Sequence, residues 1–169
     1  WTKQGGSQQR MRVADEGRRG FAVARGWEAS GVRLPVRRTP GSAGYDLEAA
    51  QTVTVRPGER AVIPTGLKAY MPADEFLGIY IRSSLAFKYG LMLVNSVGII
   101  DSDYFENQDN DGHIMIGVIN LGQETVTMHK GERVAQAIFQ PFRRISAEES
   151  GEVELPVKPR TGGIGSTGQ

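Results

Sequence analysis

The chain has 169 residues, a formal net charge of +1 and no cysteine. Its length suits one domain with its own core, and the missing cysteines exclude disulfides, thiol nucleophiles and thiolate metal sites. Near-neutral charge gives no basic stripe for a nucleic-acid polymer, and no apolar run approaches the roughly 20 residues of a membrane span.

In chain order, residues 1–20 are polar, charged and glycine-bearing and read as a poorly ordered arm. Met11 reads as the natural start, with residues 1–10 belonging to an added segment or a longer precursor. No basic-then-apolar leader opens the chain, so no secretion signal is expected. From Val32 onward, short apolar runs alternate with turn signals, and residues 21–150 read as one β domain. Thr52–Val55 reads as a strand leading into an Arg-Pro-Gly-Glu turn; Arg60–Ile63 and Leu67–Met71 flank Pro64-Thr65-Gly66. Phe76–Ile81, Leu91–Val94 and His113–Ile119 read as further strands. Thr125–Met128 and Arg133–Phe139, separated by Lys130-Gly131-Glu132, read as a last hairpin. Only Ser83–Lys88 reads as helix. Turns every 8–12 residues or so predict a sandwich or barrel. Residues 151–169 read as a linker with two prolines and then a glycine-rich tail. No internal repeat is visible.

Five segments concentrate residues that do chemistry. Gly44-Tyr45-Asp46-Leu47 brings a lone carboxylate into a strand; by itself it reads as a solvated or capping Asp. In Arg82-Ser83-Ser84-Leu85-Ala86, a strand runs into a short helix, exposing hydroxyls and free amides beside a guanidinium. That is either an anion site or an ordinary serine cap next to a surface arginine. From Asn95 to Tyr104 an apolar run delivers Asp101 from a strand, where a carboxylate can orient and deprotonate water. Tyr104 offers a flat face to a sugar, and Asn95 and the backbone near Gly98 offer hydrogen bonds to a base edge. The same Asp-Ser-Asp is also common turn chemistry. The acidic residues that follow, Asp109 and Asp111, lack the ligand spacing of a calcium loop. Gln136, in an alternating strand, faces either solvent or a phosphate. Finally, Arg160-Thr161-Gly162-Gly163-Ile164-Gly165-Ser166-Thr167-Gly168 has almost nothing apolar to bury, so ordering it takes a ligand that hydrogen-bonds its backbone. A polyphosphate does that; a loose glycine-serine terminus is the plain alternative. The two histidines, His113 and His129, show no metal-ligand spacing and read as surface or turn residues.

Taken in order, these segments resemble the five motifs of the trimeric deoxyuridine triphosphatases (dUTPases), over roughly residues 32–168. The resemblance implies an all-β jelly-roll barrel or sandwich with one very short helix and a mobile C-terminal tail. It implies a homotrimer with shared sites, in which the tail, residues 151–169, closes as a lid over a neighbouring subunit's site. The implied reaction is magnesium-assisted hydrolysis of dUTP to dUMP and pyrophosphate, which limits uracil in DNA and supplies dUMP for thymidylate synthesis. On that pattern Asp101 activates water against the α-phosphorus. Asn95, Gly98, Ile99 and Ile100 read uracil, Met115 closes the pocket, and Tyr104 lies under the deoxyribose. Arg82, Ser83, Ser84 and Gln136 hold phosphates, Asp46 orders water on Mg2+, and Arg160, Ile164, Gly165 and Ser166 act from the tail. No nucleic-acid polymer or membrane partner is implied, and the expected location is cytoplasmic.

Three departures from the common pattern stand out. Ile164 replaces an aromatic that stacks on uracil, Arg160 sits one residue closer to the glycines, and the loop Phe105–Asp111 is long. The nearest rival, a dCTP deaminase on the same scaffold, needs a glutamate where this chain has Gly117. A non-catalytic nucleotide-binding jelly roll would have no need of Asp101.

Overall fold

The computed structural model describes residues 17–154 and 160–163. Its strands are β1 (Gly20–Val23), β2 (Tyr45–Glu48), β3 (Val53–Val55), β4 (Arg60–Pro64), β5 (Leu67–Tyr70) and β6 (Glu75–Ile81). After helix α1 (Ser83–Tyr89) come β7 (Leu91–Leu93), β8 (Gly98–Asp101), β9 (Met115–Asn120), β10 (Val126–Met128) and β11 (Arg133–Pro141). A 3-10 turn at Ser102–Tyr104 and a single helical turn, α2 (Ser146–Glu149), add to the one helix read from sequence. The expected strands are present with ends shifted by a residue or two. β1 begins at Gly20, the last residue of the expected arm, and Arg19 already pairs with Glu75 at 2.6 Å. Residues 1–16 of that arm lie outside the described residues.

The strands form sandwich-like sheets, and no closed barrel is seen among the described residues. The largest sheet has the order β2-β11-β6-β8, and a second runs β4-β9-β7; β1 pairs with β5 and β3 with β10, all antiparallel. Alternation, clearest in β5 and β9, builds the core between them. Leu47, Leu77, Ile79, Ala135 and Ala137 of the four-stranded sheet face Ile63, Leu91, Leu93, Ile116 and Val118 of the three-stranded one within a single buried cluster.

The expected hairpin between β10 and β11 does not form. β10 pairs with β3, and β11 lies between β2 and β6. The reason is local. The turn between them spends its backbone bonds on Ala49: Gly131 N–H donates to Ala49 O at 2.8 Å, and Ala49 N–H donates to Glu132 O at 2.9 Å. A turn tied to a third segment directs its two strands into different sheets. The corner at Thr65-Gly66 does the same for β4 and β5, which pair with β9 and β1. There Thr65 Oγ1 donates to Ile114 O at 2.6 Å, and Gly66 N–H donates to His113 Nε2 at 2.9 Å. His113 is therefore no surface residue: it is partly buried and packs on Trp27 with ring centres 5.2 Å apart. His129 is exposed as expected. No helix among the described residues is long and apolar enough to cross a membrane.

Candidate active site

One face of the four-stranded sheet is core, so its register decides what the other face presents. Asp101 pairs with Phe76, Ile99 with Gly78, Gln136 with Tyr80, and Gln136 also with Asp46. Directly paired residues share a face. Asp101, Ile99, Phe76, Tyr80, Gln136 and Asp46 therefore stand together on the outer face, opposite Leu77, Ile79 and Ala137.

The candidate residues fall into two groups on that face. The first is at the β8 end. Asp101 is the last residue of β8, and its side chain remains half exposed. Arg160 bridges two carboxylates there: Nη2 donates to Asp101 Oδ2, and Nε donates to Asp103 Oδ1 at 2.9 Å. Its guanidinium carbon stands 5.8 Å from the Tyr104 ring centre, and a Cβ at Gly163 would meet the same ring at 3.7 Å. The described tail residues thus rest on Asp101, Asp103 and Tyr104 of their own chain. Tyr104 is only 7% exposed, and burial pushes its phenol pKa up although Asn110 and Arg160 pull it down.

Asn95 is exposed in the turn that carries the chain from β7 to β8, and Ser96 beside it has φ +64. Val94 N–H donates to Gly117 O at 3.0 Å, which holds this turn against β9. Met115, at the start of β9 and 49% exposed, shares a strand face with Gly117. Asn95, Gly98 and Ile99 thus follow one another through this turn into β8, with Ile99 59% exposed, and Met115 lies on β9, the strand to which the turn is bonded. Ile100 instead points inward and packs against the core, leaving only its backbone for a ligand.

The second group lies at the far end of β6. Arg82 follows that strand directly; its Nη1 donates to Arg133 O at 3.2 Å. Ser83 and Ser84 open α1 and are exposed. Gln136 folds over Gly44, where a Cβ would meet its Oε1 at 2.6 Å, so a larger residue there would displace the Gln136 amide. Asp46 is largely covered and accepts from Arg38 Nε at 3.1 Å and Arg133 Nη1 at 3.4 Å, both on Oδ2. Sequence reading missed Arg38, Arg133 and Asp103, the charged partners of the predicted carboxylates and arginine.

Six residue-to-residue steps of extended strand carry the chain from Phe76, beside Asp101, to Arg82, a distance of about 20 Å. Asp46 and Asp101 stand three strands apart as well. A single chain therefore does not bring the two groups to one triphosphate. Ile164, Gly165 and Ser166 lie outside the described residues. Among the described residues no three His, Cys, Asp or Glu side chains cluster as a metal cage.

The long loop after Tyr104 also differs from a plain solvated turn. Asn107 and Asp111 are buried, and Lys68 bonds both Glu106 at 3.0 Å and Asp111 at 2.8 Å. The signal was present in the Asn-Gln-Asp-Asn-Asp-Gly run, whose short polar side chains bond their own backbone.

Comparison with known proteins places residues 31–168 in the dUTPase family model. The chain is 51% identical over 150 residues to a deoxyuridine 5'-triphosphate nucleotidohydrolase of Lactococcus lactis, covering 89% of this chain and 97% of that protein. A protein of the same description from Rhizobium meliloti is 38% identical over 153 residues, covering 88% and 91%. The crystal structure of dUTPase from Streptococcus mutans superposes with a TM-score of 0.71 at 42% identity, covering 75% of this chain and 98% of that one. A dUTPase from phage phi11 of S. aureus, described with a structural Mg(II) ion, shares the fold at a TM-score of 0.65 and 19% identity, covering 83% and 97%.

Proposed function

The chain belongs to the dUTPase family, and we propose that it hydrolyses dUTP to dUMP and pyrophosphate with Asp101 as the base that readies water. The placement of Asp101 carries this reading: a half-exposed carboxylate at a rigid strand end, next to a sugar-sized aromatic and an exposed base-reading edge. Asp101 takes a proton from water, the water oxygen bonds the α-phosphorus, and the bond from that phosphorus to the β-phosphate bridge breaks. Pyrophosphate leaves. Phosphoryl transfer of this kind asks for positioning and charge neutralisation above all.

The remaining roles follow from position. Asn95 and the backbone of Gly98, Ile99 and Ile100 receive the base, Met115 closes its pocket, and Tyr104 forms the floor beneath the deoxyribose. Arg82, Ser83, Ser84 and Gln136 hold phosphate oxygens. Arg160 exchanges its present partners, Asp101 and Asp103, for the terminal phosphate, which frees Asp101 to act as base. Ile164, Gly165 and Ser166 complete the tail's cover of the bound nucleotide.

The donor set suits Mg2+ held by phosphate and water rather than by a protein cage. Asp46 is a single carboxylate whose Oδ2 already holds two guanidinium groups, so any part it takes would be through its other oxygen and a water molecule. Bound there, the ion would neutralise phosphate charge.

The two groups of residues on one sheet face lie too far apart for one substrate, which supports sites completed between copies in a homotrimer. On this reading residues 21–150 form the catalytic body, residues 1–20 an arm, and residues 151–169 the linker and lid. An enzyme of the free nucleotide pool works in the cytoplasm, where we place it. The deaminase reading loses its proton shuttle, because Gly117 carries no carboxylate.

The test is a panel of nucleoside triphosphates with Mg2+, scored for pyrophosphate and ammonia. We expect pyrophosphate from dUTP alone. Asp101→Asn should bind dUTP and lose turnover by at least about 1000-fold. Near-normal turnover in that variant would reject Asp101 as the base.

A further inference from the structure

Resting on the reading of Tyr104 as the floor beneath the sugar, we propose that Asn110 is a positioning residue that fixes the Tyr104 phenol and so sets the preference for deoxyribose over ribose. A floor rejects a 2'-hydroxyl only if it cannot retreat. An aromatic ring held at its far oxygen from one side only can still swing about that bond; one held from both sides cannot.

The phenol is held from both sides. Its O–H donates to His113 O at 2.7 Å, and its oxygen accepts from Asn110 Nδ2 at 2.7 Å. The orientation of the Asn110 amide is dictated by its other bonds. Its Oδ1 accepts from Asn107 Nδ2 at 2.7 Å and from the Gly112 amide at 3.1 Å. With the oxygen thus engaged, the nitrogen is left for the phenol. Asn107 is itself fixed: its Nδ2 also donates to Tyr104 O at 2.9 Å, and its Oδ1 accepts from the amides of Asp109 at 3.1 Å and Asn110 at 3.2 Å.

The loop that carries Asn110 is built at some cost. Glu106 and Asp111 both adopt positive φ, +54 and +62. Gly112, at φ +81, lies so close beneath Tyr104 that a Cβ would meet the Tyr104 carbonyl oxygen at 2.7 Å. Such strain persists where surrounding contacts over-determine it, and it marks functional positions. The surrounding contacts are on hand: Asp111 is tied to Lys68 and to the Arg25 amide, each at 2.8 Å. The length of this loop, unexplained by the hydrolytic chemistry, is thereby given a task. It reaches round to the far edge of the ring and pins it.

The experiment measures kcat/KM for dUTP and UTP in the full-length chain, in Asn110→Ala, in Tyr104→Phe and in the double variant. Asn110→Ala should lower the dUTP/UTP ratio by about tenfold, which is one pK unit's worth of free energy. The loss should come through a rise in UTP turnover, which general damage to the fold would not produce. In the Tyr104→Phe background, where no phenol oxygen exists, Asn110→Ala should change the ratio no further. Asn110→Ser, whose side chain is too short to reach the phenol, should reproduce the loss and serves if the alanine variant does not fold. An unchanged ratio in active Asn110→Ala or Asn110→Ser enzyme would overturn the role of Asn110 alone. An equal loss in both Tyr104 backgrounds would do the same. A full-length chain unable to release pyrophosphate from dUTP would overturn the reading beneath it as well.

Discussion

Lys68→Met probes the polar cluster that anchors the loop under Tyr104. The ammonium of Lys68 bonds Glu106 at 3.0 Å and Asp111 at 2.8 Å and stands 5.2 Å from the Phe105 ring centre. The three side chains are nearly covered, 12% exposed for Lys68, 9% for Asp111 and 20% for Glu106. Methionine keeps most of the stem and removes the charge, leaving two carboxylates that shared one cation. Breaking a fully buried pair this way costs about 3–5 kcal/mol; with some water access here the cost should be about 2–3 kcal/mol. For a chain of this size that lowers the melting midpoint by about 4–12 °C. The pH dependence has a definite sign. Burial pushes the Asp111 carboxyl up, but the hydrogen bonds from Lys68 and the Arg25 amide and the nearby charges outweigh it and leave its pKa lowered from 3.8. A group with a depressed folded pKa stabilises above its unfolded value and loses that contribution as pH falls through the folded one. The gap between wild type and Lys68→Met should therefore be widest near neutrality and close in strong acid. Urea unfolding at fixed protein concentration measures it, with Trp27, which packs on His113, as a reporter. Equal urea midpoints for Lys68→Met and wild type at neutral pH would refute this account of the cluster.

Two further outcomes follow. His113 accepts the Gly66 amide on Nε2, and burial lowers its pKa from 6.5, so it must stay neutral to keep that bond. Stability should fall as pH drops below about 6.5, by at most about 1.4 kcal/mol per pH unit from this group, and His113→Gln should flatten that slope in urea titrations; identical slopes would contradict it. Truncation after Pro159 removes Arg160 and its bonds to Asp101 and Asp103. The truncated chain should fold, shown by an unchanged circular dichroism spectrum, and lose hydrolysis by at least about 100-fold; an unchanged rate would show that the tail is no lid.

Much of the fold was legible because its strands alternate cleanly. In β9, Ile116, Val118 and Asn120 are buried and the residues between them are not, a period of two that needs no tertiary information. Which strand pairs with which was less legible. Lys130-Gly131-Glu132 has the look of a hairpin turn, but bonds to Ala49, distant in sequence, redirect it. Buried polar residues were hidden for a related reason. Asn120 is fully buried, yet its amide bonds Val55 O, Glu124 O and the Gly122 N–H, and only the folded arrangement supplies those partners. His113 reads as a surface residue until Trp27 and Gly66 are brought to it. In the candidate site, Asp101 was legible because an apolar strand delivers it, whereas Arg133 and Arg38 on Asp46 depend on the register of β2 against β11.

The division of one site between copies is tested most directly by mixing two inactive variants. Asp101→Asn leaves the phosphate-holding end intact, and Arg82→Ala leaves the base intact. Co-expressed in equal amounts and assembled at random into trimers, they should regain about one quarter of wild-type dUTP hydrolysis, because a quarter of shared sites then draw Asp101 from one variant and Arg82 from the other. Activity no greater than that of the two variants assayed separately would contradict a site built across subunits.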